Sequence, residues 1–565
     1  MTIYQAVGTL ALPPDSLTVP EFILDDPKSP ERVCFIEEIT GRKVYFSELR
    51  LRTAYLSAAL NELGRIHPGD IVALISPNHI DYPICVWALH RLGAVVALMN
   101  PGMTGDEMGH LLKLAHPKFL IAHPDSVGLV KEGAKHAGLN GYDVVTLSTN
   151  TTSNLGYTTT EALIARGKRL PPFTQRKLSP GEGKTSVAFL CFSSGTTGLP
   201  KAVSISHYNV ISNVLQLTAA HGVYDPQVEW NAKRYRPGDV CSGFLPLFHA
   251  YGLNIQMHFI LHAQMSIVLS PKFNFEKMLD NISRYKITNL MIVPPQAVLL
   301  CKHPAVPQYD LSSVRVCMVG AAPVSAELTE NLLRVLPDIQ LGQGWGMTEC
   351  TSCGTAFPLT QKVGKLGSAG MLIPGTSAKV VKSDGSLARD GEQGELYLQG
   401  PQVVLGYYNN PTATKDTFVD GWLRTGDEAY FDAEGNMFLV DRVKELIKVK
   451  AHQVAPAELE GHLLTHNAVA DTAVIGVPDD FAGELPFAFI VLKPETAAEV
   501  EQNRKKPAEL KKSIFQHVAK AKTPYKWLEG GIEFVDVIPK SASGKILRRF
   551  LRDRIRDERA ARSKL

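Results

Sequence analysis

The nonapeptide Ser193-Ser194-Gly195-Thr196-Thr197-Gly198-Leu199-Pro200-Lys201 follows directly on an apolar run ending at Phe192. Its two glycines free the backbone to turn amides inward, its hydroxyls add donors and Lys201 adds positive charge, a combination suited to a triphosphate. The Walker pattern G-x-x-x-x-G-K-[ST] is met neither here nor at Gly183-Lys184-Thr185, where Leu178 stands in place of the first glycine. That argues against a P-loop ATPase or kinase. A second lysine-bearing polar turn, Pro539-Lys540-Ser541-Ala542-Ser543-Gly544-Lys545, lies near the C-terminus. Short pieces such as Thr348-Glu349 or Thr425-Gly426-Asp427 carry no signal alone, and a lone His249 among apolar residues is more often a packing residue than a catalyst.

Their order along the chain is informative. The nonapeptide is followed by Pro246-Leu247-Phe248-His249-Ala250-Tyr251-Gly252, Gly320-Ala321-Ala322-Pro323, Gln343-Gly344-Trp345-Gly346-Met347-Thr348-Glu349, Trp422-Leu423-Arg424-Thr425-Gly426-Asp427, Asp441-Arg442 and the C-terminal lysine turn. Seven motifs in this order resemble those of the adenylate-forming superfamily, which includes acyl- and aryl-CoA ligases, adenylation domains of peptide synthetases and luciferases. Residues 441–460 bring the resemblance nearest to 4-coumarate:CoA ligases and their relatives.

The resemblance implies an ATP-dependent acid–thiol ligase that makes an acyl-adenylate and passes the acyl group to coenzyme A. It implies that Ser193, Ser194, Gly195, Thr196, Thr197, Gly198 and Lys201 hold the phosphates of ATP, and that Gly320, Ala321, Ala322, Gln343, Gly344, Trp345, Gly346 and Met347 surround the nucleotide. Asp427 would accept from the ribose hydroxyls, Arg442 would add contacts to ribose or phosphate, Thr348 would touch the α-phosphate, and Glu349 would hold Mg²⁺, a hard cation that prefers oxygen ligands. Lys545 would stabilise charge on the carboxylate and α-phosphate; a charge pair at about 4 Å is worth roughly 4 kcal/mol at intermediate dielectric. By the same resemblance His249 gates the acyl pocket, Tyr251, Met318, Gly320 and Gly344 line it, and Lys448, Lys450, Ala451 and Gln453 border the path of coenzyme A. Lys444, two positions after Arg442, is the implied hinge. Two departures stand out: Ala451 replaces a usual glycine, and Met318-Val319 occupy the place before Gly320 where several plant enzymes carry a lysine. An apolar acyl or aryl tail follows from the second.

The elements that must position these residues are legible in outline. Apolar runs at residues 71–75, 94–99, 187–192, 266–269, 290–293 and 314–319 predict strands, and helices are expected at 47–63, with Ser47 as N-cap and Gly64 beyond the end, and at 81–92. Strands alternating with helical spacers predict an α/β body with mixed, largely parallel sheets. Residues 148–183, rich in Ser, Thr, Pro and Gly, read as surface loop. After about Asp441 the pattern restarts on a smaller scale, with strands at 469–477, 487–492 and 532–535 and a helix at 508–519. The expectation is a large N-terminal domain over 1–440 and a small mobile α+β domain over 441–565.

The remaining features bound the function. A chain of 565 residues with 59 basic and 56 acidic side chains, net charge +3, creates no field that points to nucleic acid as a partner. Eight scattered cysteines fit a reducing compartment rather than a disulfide scaffold, and the isolated Cys350-x-x-Cys353 reads as two thiols without metal. Neither a signal peptide nor a membrane-spanning run is apparent, and Ser563-Lys564-Leu565 spell the tripeptide read by the peroxisomal import receptor, so a peroxisomal location is expected. Two rival readings remain open at this level. One is another adenylating chemistry, acyl transfer to a carrier protein or luciferase-like oxidation; the other is a non-catalytic nucleotide-binding homologue.

Overall fold

The computed structural model describes residues 2–11, 13–25, 31–149, 156–193, 200–322, 324, 326–450, 452–479, 481–503, 505–541 and 544–562. Two large α/β layers and an antiparallel sheet precede a small C-terminal domain. The first layer is an eight-stranded sheet. Its parallel part runs through Val187–Ser193, Val95–Met99, Ile71–Ile75, Phe119–Ala122, Asp143–Thr146 and Thr158–Thr159. Lys201–Ser206 returns antiparallel to Val187–Ser193, which pairs Ser193 with Lys201, the first and last residues of the nonapeptide. Ile71–Ile75 and Val95–Met99 are buried at every position, as helices on both faces of a parallel sheet require. Each such Val, Leu or Ile contributes about 1.5–3 kcal/mol.

The second layer, nine-stranded, is parallel from Val33–Glu37 through Ser266–Leu269, Val240–Gly243, Asn289–Ile292 and Val316–Val319 to Gln340–Trp345, with antiparallel strands at its edges. Side chains alternate across a strand, so Met318 and Val319 point to opposite faces. Met318 reaches the cavity described below, whereas Val319 is sealed in the main core. Only Met318 of the pair therefore lines that cavity.

Three expectations require correction. Ser47 is not an N-cap: the helix is Phe46–Glu62, capped at Tyr45 without a side-chain hydrogen bond. The 148–183 segment is not simply loop, because Thr159 caps a helix at Thr160–Gly167 by accepting from the Ala162 amide; residues 150–155 lie outside the described residues. A six-stranded antiparallel sheet, Ile3–Gln5, Ser377–Val381, Gly394–Gln399, Phe418–Val419, Trp422–Phe431 and Met437–Arg442, was not foreseen. It carries Asp427 and Arg442 on adjacent strands, directly paired.

From Ile447 on, the chain packs about its own five-stranded sheet, His452–Val454, Ile447–Val449, Gly483–Leu492 and Val469–Asp479 with Gly531–Phe534 alongside. Arg548, at the start of the helix Arg548–Arg562, ties this unit to the chain just beyond Arg442. Its guanidinium donates to Glu460 at 2.7 and 2.9 Å and to Glu445 at 2.5 Å. Burial opposes its charge, and the carboxylates of Glu460, Asp441 and Glu445 outweigh that cost, so it stays protonated at any physiological pH.

Candidate functional site

The lysine turn of the small domain inserts into the large one. A cavity of about 260 Å³ is walled by Phe248, His249, Tyr251, Ile255, Met318, Gly320 and Gly344 through Glu349 on one side, and by Arg442, Ser541 and Lys545 on the other. His249 leads into a helix, Tyr251–Phe259, wound in the wide π form, which places Tyr251 and Ile255 one above the other on the cavity wall. The Tyr251 hydroxyl donates to the Met318 carbonyl at 3.3 Å, and a Cβ on Gly320 would come within 3.2 Å of the Tyr251 ring. Gly344 lies similarly close to the Met318 sulfur, at 3.5 Å from a notional Cβ. Leu98, Asn100, Met103, Leu111, Phe192 and Ser193 also line the cavity.

Burial, then the Arg442 charge, pushes the Lys545 ammonium down to about 8, against the pull of Glu445 and Asp427. Burial and the Lys545 charge hold His249 near 4, so its imidazole is neutral at physiological pH. A weakly solvated cation facing a neutral imidazole in an enclosed space is arranged to receive an anion. Asp427 is almost fully buried; it accepts from the Trp345 indole at 2.9 Å and pairs with Arg442 at 3.2 Å.

The segment after Trp345 is held by a tight turn. Thr351 has φ 65° and ψ −49°, and the Ser352 amide donates to the Cys350 carbonyl at 2.6 Å, the geometry of a γ-turn that costs about 1–3 kcal/mol for a residue with a side chain. The turn presses the Ser352 carbonyl against Gly346, where any Cβ would sit 1.6 Å from that oxygen. Cys350 and Cys353 are free, buried thiols bonded to the backbone carbonyls of Met347 and Thr355.

A larger cavity of about 750 Å³ continues from Ala321, Ala322, Gln343 and Trp345 past Asp427, Tyr430 and Arg442 into the cleft between the domains. Ala321 lies on both cavities with φ 73°, a left-handed backbone in a residue other than glycine. Gln343 is engaged at both ends of its amide by the backbone of Val324, at 3.0 and 3.2 Å, and so shapes this loop.

Most predicted residues thus converge: Lys545, His249, Tyr251, Met318, Gly320, Gly344, Trp345, Gly346, Met347, Thr348, Glu349, Arg442, Ala321 and Ser193 share the smaller cavity, while Asp427, Ala322 and Gln343 join through the larger one. Ser194, Gly195, Thr196, Thr197 and Gly198 lie outside the described residues, as do Ala451 and Ser563-Lys564-Leu565. Lys448, Lys450 and Gln453 do not line either cavity; they stand exposed on the hairpin Ile447–Val449 and His452–Val454. Lys444 is exposed in the turn that leaves Arg442. Tyr407 was missed. Its hydroxyl donates to Glu349 Oε1 at 2.9 Å while its ring sits 4.6 Å beneath the Lys201 ammonium, linking the nonapeptide to Glu349. Tyr407 follows Glu349 by 58 residues, and no spacing could have joined them.

Tyr407 engages one oxygen of Glu349, and Thr348 stands next to it in the chain, so a carboxylate and a hydroxyl would be the protein's share of a cation site here. That modest protein share fits Mg²⁺, which commonly takes one or two carboxylates and completes its shell with waters and substrate phosphates.

Comparison with known proteins agrees with this geometry. The pattern described as AMP-binding enzyme matches residues 25–408, and that described as AMP-binding enzyme C-terminal domain matches 458–545. The chain is 37% identical over 540 residues to 4-coumarate--CoA ligase 2 of Oryza sativa subsp. japonica, covering 93% of this chain and 90% of the relative. It is 34% identical over 555 residues to Peroxisomal OPC-8:0-CoA ligase 1 of Arabidopsis thaliana, covering 97% and 95%. Among solved structures, the anthranilate CoA ligase AuaEII in complex with anthranoyl-AMP superposes with a TM-score of 0.82 at 25% identity, covering 97% of this chain and 99% of that one. ATP-bound MatB from Rhodopseudomonas palustris superposes at 0.80 and 25%, covering 96% and 99%. With its ordered motifs drawn into one cleft and matches spanning nearly its whole length, the chain belongs to the adenylate-forming, AMP-binding enzyme family, among the acyl- and aryl-CoA ligases.

Proposed function

We propose that this protein joins a carboxylic acid to coenzyme A in two steps on one site. A carboxylate oxygen attacks the α-phosphorus of ATP and pyrophosphate leaves, giving the acyl-adenylate; the thiol of coenzyme A then attacks the acyl carbon, loses its proton to solvent, and AMP leaves. The observation that carries this reading is the seating of the Lys545 ammonium in the same small cavity as His249, beside the Asp427–Arg442 pair.

In this reading Asp427 and Arg442 hold the ribose, Gly320, Ala321, Ala322 and Gln343 frame the base, and the nonapeptide with Lys201 takes the phosphates. Mg²⁺ on Glu349 supplies charge neutralisation for the phosphates. Lys545 bridges carboxylate and α-phosphate as charge develops between them, an effect strongest in a site closed to water. His249, neutral, donates to or packs on the acid without competing for its charge. The acid itself is uncharged beyond its carboxylate, because Met318, Ile255, Tyr251 and Phe248 offer its tail no buried charge.

Lys448, Lys450 and Gln453 are placed for coenzyme A only if the small domain, taken as residues 441–565, turns about Lys444 after adenylation. The protein acts in peroxisomes in this reading, addressed by Ser563-Lys564-Leu565; the Arabidopsis relative carries that location in its name. Purified protein should be given ATP, Mg²⁺ and a panel of carboxylic acids, with pyrophosphate exchange and, after adding coenzyme A, thioester read by mass. Acid-dependent exchange with thioester is expected. Exchange without thioester would overturn the second step, and exchange with no acid in a broad panel the first.

A further inference from the structure

A single helix of the large domain, Pro294–Lys302, receives the small domain at both of its ends. At its N-terminal end Gly544 lies against Val293 and Pro295, with φ +79° and a notional Cβ only 3.0 Å from Val293 Cγ2. Gly544 immediately precedes Lys545. At the C-terminal end the Lys302 ammonium donates to the backbone carbonyls of Leu464, at 2.6 Å, and Val469, at 3.2 Å. Leu464 caps the helix Pro456–Leu463, and Val469 opens the strand Val469–Asp479. The carbonyls at a helix C-terminus carry partial negative charge and have no intrahelical partner, so a cation there is favoured twice, by the dipole and by hydrogen bonding.

Nine residues at 1.5 Å rise make this helix about 13 Å long. Two contacts that far apart fix an orientation, which a single contact cannot do. The Gly544 end is passive: it offers shape, and it tolerates approach because no side chain intervenes. The Lys302 end is directional, since its bonds are made only when Leu464 and Val469 are presented to it. Leu464 borders the larger cavity, whereas Val469 and Lys302 line neither, and none of the three lines the smaller cavity that holds Lys545.

From this we infer that Lys302 is a positioning residue for adenylation: by holding the small domain at Leu464 and Val469 it keeps Lys545 seated against His249, and its release accompanies the turn toward thioester formation. The inference rests on the two-step reading above. It concerns a contact remote from the reacting atoms, and a charged hydrogen bond at a partly exposed site is expected to bias the domain equilibrium by about five- to tenfold.

Lys302→Met keeps the aliphatic stem and removes the charge; Lys302→Arg keeps the charge. Each half-reaction should be measured separately, pyrophosphate exchange for the first and thioester formation from presynthesised acyl-adenylate for the second. Lys302→Met should lower exchange about five- to tenfold and leave or raise the second rate, and Lys302→Arg should restore exchange. A parallel fall in both rates, or no change in either, overturns the inference. A readout without chemistry separates its failure from that of the ligase reading. Dyes on Lys168→Cys and Glu501→Cys, exposed residues of the two domains, in a Cys301→Ser background, report the interdomain distance in the ligand-free full chain. Lys302→Met should shift part of the population to a second distance; an unchanged distribution overturns the inference whatever the enzyme turns over.

Discussion

If Lys545 works as a cation, adenylation should fail as it loses its proton, and the structure fixes where. The ammonium is drawn from an ordinary value of 10.5 down to about 8. Holding the charge there therefore costs roughly 3 kcal/mol. The charged form is thus disfavoured in the fold: below pH 8 the penalty is fully present, and it vanishes only as pH rises from about 8 toward the unfolded value. Lys545 is about nine-tenths protonated at pH 7 and about one-tenth at pH 9 in the free enzyme. Since kcat/KM reports the free enzyme, its value for pyrophosphate exchange should be level from pH 6 to 7 and fall about tenfold per unit above pH 8. No limb is expected near 6.5, because His249 is already neutral there. Lys545→Met should remove the high-pH limb and lower exchange by about 10²- to 10³-fold, the scale of one charge-stabilising donor, while sparing thioester formation from presynthesised adenylate. A limb near 6.5 that disappears in His249→Ala would show imidazole acting as base and refute the argument. So would a profile level through pH 10, which would mean that the charge of Lys545 is not used.

Three further outcomes are expected. Lys444→Pro, which fixes φ in the turn after Arg442, should retain pyrophosphate release and lose coenzyme A transfer on folded protein; a parallel fall in both rates would exclude Lys444 as hinge. Apolar aryl or acyl acids should show higher kcat/KM than catechol-bearing analogues, because Met318 and Ile255 leave a buried hydroxyl unpartnered at about 1–3 kcal/mol; the reverse ranking would sink this reading of the wall. Deleting Ser563-Lys564-Leu565 should leave activity intact and turn a punctate distribution diffuse in cells, and unchanged puncta would defeat the peroxisomal address.

The sequence was most informative where the signal is local. Strands such as Ile71–Ile75 and Ser266–Leu269 are short apolar runs because they are buried on both faces, so they announce themselves at the observed limits. The antiparallel sheet that carries Asp427 and Arg442 does not: its strands alternate buried and open positions, and one of them, Ile3–Gln5, pairs with Ser377–Val381 across more than 370 residues. Ser47 misled because a capping residue type says nothing when Tyr45 already supplies the extended backbone that starts the helix. Within the site, the ordered motifs named the residues around Lys545 and His249 but not Leu98, Met103, Leu111 or Ile255, which also line the cavity. They were silent on Tyr407, Lys302 and the γ-turn at Thr351, each of which matters through a partner distant in sequence or through backbone shape alone.

The wide helix Tyr251–Phe259 gives this cavity an unusual kind of adjustability. Its i→i+5 bonding accommodates more residues per turn than an α-helix does, so the segment in effect stores an extra residue. Removing one residue there would let the backbone relax into the commoner winding, shifting by one position which side chains of the wide turn face the cavity while those beyond it keep their facing. Ile255 would leave the wall and a neighbour would replace it, with the strands behind untouched. A point substitution trims such a pocket by a methyl group or two; a single-codon deletion here would exchange which side chain this helix presents to it. Among descendants of this chain, a change in chain length at 251–259 is therefore a more telling sign of a new acid than any one substitution in the same stretch.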